Sequence, residues 1–313
     1  MVLRSARRQS DVKRSHCGAW RAFTAVPAMI GSAFLLLVLL GWLGTWEGPT
    51  LLAWMGCGLL TLTRQGERVA VRVGYGFRPP SAAERSALAP VWSQVLQRCG
   101  LPPNRVDLYV QRSGEVNAYA VGSRSVAVTR RVLTDYQAGR INDVLLAPIL
   151  CHELGHHATR GTRFAPITAW FTLPWRLACG AALRLAVQLA GRQPRGPLAV
   201  VVVATVTVAI VQAAQHHAWS NVTVLGSLAF FSIASPATDA ALSRASERAA
   251  DQYAAHVGYG SALAQALHAL AGEQVRPGRS RMSVFDRHPA THRRIHDLTQ
   301  PPIRHVCSIS PAP

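Results

Sequence analysis

The sequence predicts a mostly helical α+β protein, its polar domain split and anchored by about four transmembrane helices in two hairpins. Three observations predict it. Apolar residues make up 49% of the 313-residue chain and charged residues only 15%, too apolar a balance for an ordinary soluble domain. Long apolar runs are bracketed by arginine at their ends. Between those runs, stretches of helical period alternate with three short runs of period two, the mark of a small sheet in a helical domain.

Residues 1–25 form a basic leader with Arg4, Arg7, Arg8, Lys13, Arg14 and Arg21, and residues 26–43 are almost wholly apolar, long enough to cross a bilayer. A cleaved signal peptide is the alternative. The long leader, the missing small-x-small cleavage site and a second apolar run directly afterwards favour an uncleaved anchor. That second run, residues 50–62, is short and bounded by Pro49 and Arg64, which gives a transmembrane hairpin over residues 26–63. Its connecting loop carries Glu47 and no lysine or arginine, whereas Arg64, Arg68, Arg72 and Arg78 follow. Both ends of the hairpin are therefore expected on the cytoplasmic side. The net charge of +18 could mean nucleic acid, but no nucleic-acid motif or aromatic-interleaved basic patch is present. The charge fits a lipid bilayer as partner, with no nucleic acid. The six cysteines are scattered without a C-x-x-C pair and suggest no disulfide framework.

The polar domain begins near residue 80, and residues 80–163 form its first part. Residues 81–98 have the period of an amphipathic helix with Leu88, Val91, Val95 and Leu96 inward, although Pro90 argues for a kink or two pieces. Residues 106–110, 115–121 and 125–128 alternate as three short strands broken at Gly114 and Gly122. Asn142 and Asp143 have the chemistry of an N-cap for a following helix. Pro148 then requires either a helix start near itself or a kink one turn before His152.

That helix carries His152-Glu153-Leu154-Gly155-His156. Positions i and i+4 share a helix face, so His152 and His156 can offer two imidazoles to one metal. Glu153, about 100° round the helix, can reach an attacking water without being a ligand. The pattern points to one Zn²⁺ per chain and to hydrolysis, with Glu153 catalytic. Catalytic zinc takes three protein ligands and keeps one open position. Downstream, Glu247 and Asp251 are again i and i+4 in an Ala-rich helical run. Glu247 can complete the ligand set while Asp251 receives a histidine N–H. The alternative is an ordinary carboxylate pair on a solvated helix. Cys151, angled away from the histidine face, is read as packing; His157 faces elsewhere, and His216 and His217 sit at a loop tip.

Residues 164–236 form an apolar insertion. If His152, His156 and Glu247 bind one ion, the insertion must cross a membrane an even number of times. Its first run contains Pro174, Arg176 and Arg184 and suits an interfacial or protein-packed helix. The other two make a transmembrane hairpin whose tip, residues 215–221, lacks lysine and arginine, so the site is expected at the cytoplasmic face. Residues 237–298 form the second part of the polar domain, and the proline-bearing residues 299–313 a disordered tail.

Taken together, His152-Glu153-Leu154-Gly155-His156, Glu247-x-x-x-Asp251, Asn117-Ala118-Tyr119-Ala120 and His288-Pro289 followed by Arg294-Ile295 resemble the HtpX-like and CAAX prenyl-protease family of membrane zinc metallopeptidases. The resemblance spans residues of about 80 to 298 and includes the order of the motifs. It implies a zincin-type metallopeptidase domain, a polypeptide substrate drawn from membrane or misfolded proteins, and a role in membrane-protein quality control. It places Asn117, Ala118, Tyr119 and Ala120 on an edge strand that aligns substrate, and His288 and Arg294 near the site. There a His or Arg could stabilise a developing oxyanion, with His288 the preferred group and Arg294 structural or substrate-facing. The expectation is thus a multi-pass cell-membrane zinc endopeptidase with its site facing the cytoplasm. Two rivals are a signalling receptor whose zinc protease domain cuts a regulator, and a non-catalytic scaffold with a structural metal. An intramembrane protease fits less well, because polar His157, Thr159 and Arg160 follow the motif.

Overall fold

Chain order begins with α1 (Val2–Leu40), a 3-10 segment (Gly41–Trp46) and α2 (Glu47–Leu60), so the basic leader and the first apolar run share one helix. A computed structural model describes residues 2–190, 195–274 and 291–299. The helices of the polar domain start where short polar side chains cap them. Thr63 opens α3 (Arg64–Tyr75), and Ser81 opens α4 (Ala82–Arg98) through a reciprocal capping box with Glu84. Thr129 and Asn142 open α5 (Arg130–Gln137) and α6 (Asp143–Ala158) by accepting from the N–H three residues on. The expected Asn142 cap is therefore real, and α6 neither starts at Pro148 nor stops there. Pro90 likewise leaves α4 continuous; it lies on the exposed face, where water can solvate the carbonyl that it deprives of a partner.

The sheet has the order β1-β2-β4-β3, formed by β1 (Phe77–Arg78), β2 (Asp107–Gln111), β3 (Ala118–Val121) and β4 (Ser125–Thr129). β2 and β4 run parallel, and the outer pairs are antiparallel. Every residue of central β4 is buried, and β3 forms an edge. The three expected strands are present with shifted ends, and two-residue β1 is an addition. Leu88, Val91, Val95 and Leu96 of α4 face inward as their spacing requires, packing with Leu146, Leu150 and Leu154 of α6 and with the inner face of the sheet.

After α6 the chain forms α7 (Ala165–Ala190), α8 (Arg195–Gln215), α9 (Trp219–His256), α10 (Gly260–Gln274) and α11 (Thr291–Thr299). α7 packs on the first hairpin: Trp170 Nε1 donates to the Trp54 carbonyl at 3.0 Å, and the Trp175 N–H donates to Ser32 Oγ at 3.1 Å. α8 and α9 make the second hairpin. α9 is one helix of 38 residues, about 57 Å long, running from the hairpin tip into the polar domain. Among the described residues only Ala22–Leu40 is both long and apolar enough to cross a bilayer; Ala204–Gln215 is apolar over a shorter length. The fold is mostly helical with a small sheet, as expected; of the four spans expected, one meets both criteria among the described residues. α2, with 14 residues, extends only about 21 Å against a hydrocarbon core of about 30 Å.

Two close approaches fix the polar domain. Buried Glu67 of α3 accepts four hydrogen bonds across the β3–β4 turn, from Ser123 N, Ser123 Oγ, Arg124 N and Ser125 Oγ, at 2.8–3.0 Å. Gly122 at that turn has φ +68°, and a Cβ there would sit 2.4 Å from the Glu67 carboxyl carbon. At the second, a Cβ on Gly155 of α6 would lie 2.9 Å from the Ala250 backbone of α9, so only glycine lets these two helices meet this closely.

Two outcomes follow for stability. Glu67→Ala orphans four donors and lowers stability by about 2–4 kcal/mol, read as a lower thermal midpoint in detergent; an unchanged midpoint contradicts the clamp. Gly155→Ala costs about 1–3 kcal/mol by forcing α6 from α9. Gly180→Ala, where the added methyl meets nothing within 4 Å, leaves the midpoint unchanged or raised; equal effects at both positions contradict the close approach.

Candidate metal centre

The Gly155–Ala250 contact brings two buried helix faces together. α6 presents His152, Glu153 and His156; α9 presents Ser246, Glu247 and Asp251; all six are buried. His152 Nε2 lies 3.5 Å from Glu247 Oε2, and His156 Nε2 lies 3.4 Å from Glu247 Oε1. One donor atom from each of the three falls within 4.8 Å of the others. Ligands held at about 2.0–2.1 Å by one tetrahedral ion stand roughly 3.3 Å apart, so these spacings suit a single zinc. The donor set, two imidazoles and a carboxylate, is also that of catalytic zinc with a position left for water.

The other imidazole nitrogens are engaged as well. His152 Nδ1 lies 2.9 Å from Asp251 Oδ1, a close electrostatic contact without hydrogen-bond alignment. His156 Nδ1 lies 3.2 Å from Ser246 Oγ. Burial pushes the His152 pKa down, but the Asp251 and Glu247 carboxylates outweigh it and raise it to about 9. The cluster thus favours positive charge at this point, and a metal ion would displace the proton. Burial pushes the Glu153 carboxyl up, while the His156 and His152 imidazoles pull it back down. Such a carboxyl is suited to taking up and releasing a proton.

Arg294, on α11, closes the cluster. Its Nε and Nη2 grip Asp251 Oδ2 and Oδ1 at 2.9 and 2.7 Å, and its Nη1 lies 3.2 Å from Glu247 Oε2. The guanidinium thus docks α11 on α9 and also neutralises carboxylate charge. His288 lies outside the described residues. Ala118, Tyr119 and Ala120 sit on edge strand β3 beside α6. Asn117 precedes that strand, its carbonyl accepting from Thr129 N at 3.0 Å.

His157 is no part of the metal cluster. Burial lowers its pKa to about 4, and its two ring nitrogens lie 3.2 Å from the Gly122 and Ser125 carbonyls. It therefore ties the β3–β4 turn to α6. Cys151, read as packing, is buried in the core with its Sγ 3.6 Å from Cys99 Sγ. Ser246 escaped the sequence reading: i,i+4 spacing finds Glu247 and Asp251 but gives no weight to the residue before a ligand. Glu67 gave no motif at all.

A protease HtpX homolog of Acidiphilium cryptum (strain JF-5) is 31% identical over 140 residues, 43% of this chain and 46% of that protein. The match thus spans less than half of the relative's length. The crystal structure of S. mikatae Ste24p superposes with a TM-score of 0.46 and 17% identity, covering 92% of this chain and 67% of that one. Residues 82–301, which carry His152, Glu153, His156, Glu247 and Asp251, match the model of peptidase family M48, and the chain belongs to that family.

Proposed function

We propose that this protein is an integral-membrane, zinc-dependent endopeptidase acting at the cytoplasmic membrane face in membrane-protein quality control. The observation that carries the reading is the meeting of His152, His156 and Glu247 in one buried cluster, with Glu153 on the same helix. His152, His156 and Glu247 would hold the zinc. When bound, zinc polarises a carbonyl and lowers the pKa of water toward about 7. Asp251 and Ser246 orient the two imidazoles, and Arg294 keeps Asp251 in place. Glu153 accepts a proton from the attacking water and then returns it to the leaving amine, splitting the peptide bond.

The substrate class follows from β3. Its outer edge pairs with no strand among the described residues, and it lies beside the helix that carries Glu153. An extended polypeptide added to this edge is held by main-chain hydrogen bonds, with Asn117, Ala118, Tyr119 and Ala120 setting its register. Arg294 remains buried against carboxylates in this scheme, and His288 is the group proposed to stabilise the oxyanion.

The membrane arrangement proposed is two hairpins, α1–α2 and α8–α9, with α7 packed on the first. Exposed Trp42 and Trp46 near one tip and Trp219 near the other support it, since tryptophan favours the bilayer interface. The segments are a basic leader at 1–25, a hairpin at 26–63, a catalytic domain built from 80–163 and 237–298, and the insertion 164–236 between them. α9 joins insertion to catalytic domain as one rod, which sets the site roughly 18 Å beyond residue 235 along that helix.

Two substitutions test the chemistry. Glu153→Gln retains one zinc per chain by elemental analysis while cleavage of an unfolded protein substrate falls by about 10²–10⁴-fold. Glu247→Ala loses zinc. Cleavage surviving the first change rejects the base, and full zinc content after the second rejects the ligand.

A further inference from the structure

A sizeable cavity lies away from the metal centre. It has a volume of about 820 Å³, lies between α3, α4 and the start of β2, and is lined by none of the metal-cluster residues. Its lining includes Trp92, Leu96 and Leu101, and the cationic side chains around it are Arg68, Arg72 and Arg85. The acidic side chain in its lining, Asp107, is already neutralised by Arg68 and Arg64, at 2.9 and 3.3 Å. Arg72 and Arg85 have no carboxylate partner among the described residues. The cavity is therefore lined by apolar side chains together with two cations that lack a carboxylate partner among the described residues, a combination that selects an anion carrying an apolar body.

A second observation says where that anion comes from. α3 starts at Arg64, directly after the hairpin arm α2 ends at Leu60. On α3, Glu67 and Val71 are buried against the sheet, while Val69 and Val73 are 59% and 83% exposed. At about 100° per residue, Val69 and Val73 stand on the side of the helix opposite Glu67 and Val71, with Arg68 and Arg72 between the two faces. One face thus meets protein, the other carries exposed valines, and the flank that holds Arg68 and Arg72 is cationic. A helix so divided is suited to the plane of a bilayer surface, with valines toward acyl chains and arginines toward phosphates.

We infer that this cavity is a binding site for an anionic phospholipid, its phosphate held by Arg72 and Arg85 and its glycerol and upper acyl carbons resting on Trp92, Leu96 and Leu101. The inference rests on the membrane arrangement proposed above. Because Glu67 projects from the same helix onto the β3–β4 turn, a lipid seated here also steadies the strand proposed to align substrate.

The test uses the full chain, reconstituted in vesicles of phosphatidylcholine with phosphatidylglycerol, then extracted in mild detergent and weighed by native mass spectrometry. Wild type is expected to retain phosphatidylglycerol in preference to phosphatidylcholine. Arg72→Gln/Arg85→Gln is expected to reduce that retention roughly thirtyfold, at about 1 kcal/mol per arginine, while Glu153-dependent cleavage persists. Inorganic phosphate is expected not to displace the lipid. Equal retention by wild type and double variant overturns the site, and so does displacement by inorganic phosphate, which would make it a free-anion site. Resistance of the chain to carbonate extraction from the vesicles is measured in parallel. A chain that washes off defeats the membrane arrangement as well; one that stays without lipid preference defeats this inference alone.

Discussion

Everything distinctive about the molecule depends on how closely α6 and α9 approach at Gly155 and Ala250. Ninety-odd residues of largely apolar chain separate His156 from Glu247 in sequence, and a buried carboxylate next to two imidazoles is an expensive arrangement unless charge is balanced within it. Removing one side chain, at Gly155, lets the backbones come near enough for Glu247 to reach both Nε2 atoms. Arg294 then counters the negative charge of Glu247 and Asp251 from a third helix. The cluster is thus electrostatically assembled from three elements that share no local sequence.

Two further links give the centre its surroundings. The β3–β4 turn is held from one side by Glu67 and from the other by His157, the residue next to His156. Edge strand β3 is therefore placed relative to α6 by a buried imidazole and relative to the first hairpin by a buried carboxylate. α9 does the same for the second hairpin by covalent continuity alone. A disturbance in either hairpin has a direct mechanical path to the centre.

How much of this could be read from sequence follows from the range of the interactions involved. His152, Glu153 and His156 were legible because helix geometry is local and i,i+4 is its signature. The cap at Asn142 and the inward face of α4 were legible for the same reason, and the three longer strands announced themselves by alternation. Glu247 and Asp251 came from ligand-set chemistry joined to a resemblance. What stayed hidden is held by partners distant in sequence. β1 exists because Arg78 finds Val110, Ser246 matters because His156 Nδ1 faces it, and Glu67 matters because a turn 56 residues away presents four donors. The proline warnings at 90 and 148 overstated local preference: packing of α4 and α6 in a common core outweighs one missing hydrogen bond in each. Apolar composition signals four spans; among the described residues one helix is both long and apolar enough, and α2 is short.

The central claim is that His152, His156 and Glu247 share one zinc. X-ray absorption at the zinc edge of the purified full chain tests it most directly, because scattering from nitrogen and oxygen differs from scattering by sulfur. The account predicts nitrogen and oxygen neighbours only, at about 2.0–2.1 Å, two of them with the outer-shell signature of imidazole, and loss of one oxygen neighbour or of the metal itself in Glu247→Ala. A sulfur neighbour at about 2.3 Å would place the metal on Cys151 or another thiol and contradict the centre described here.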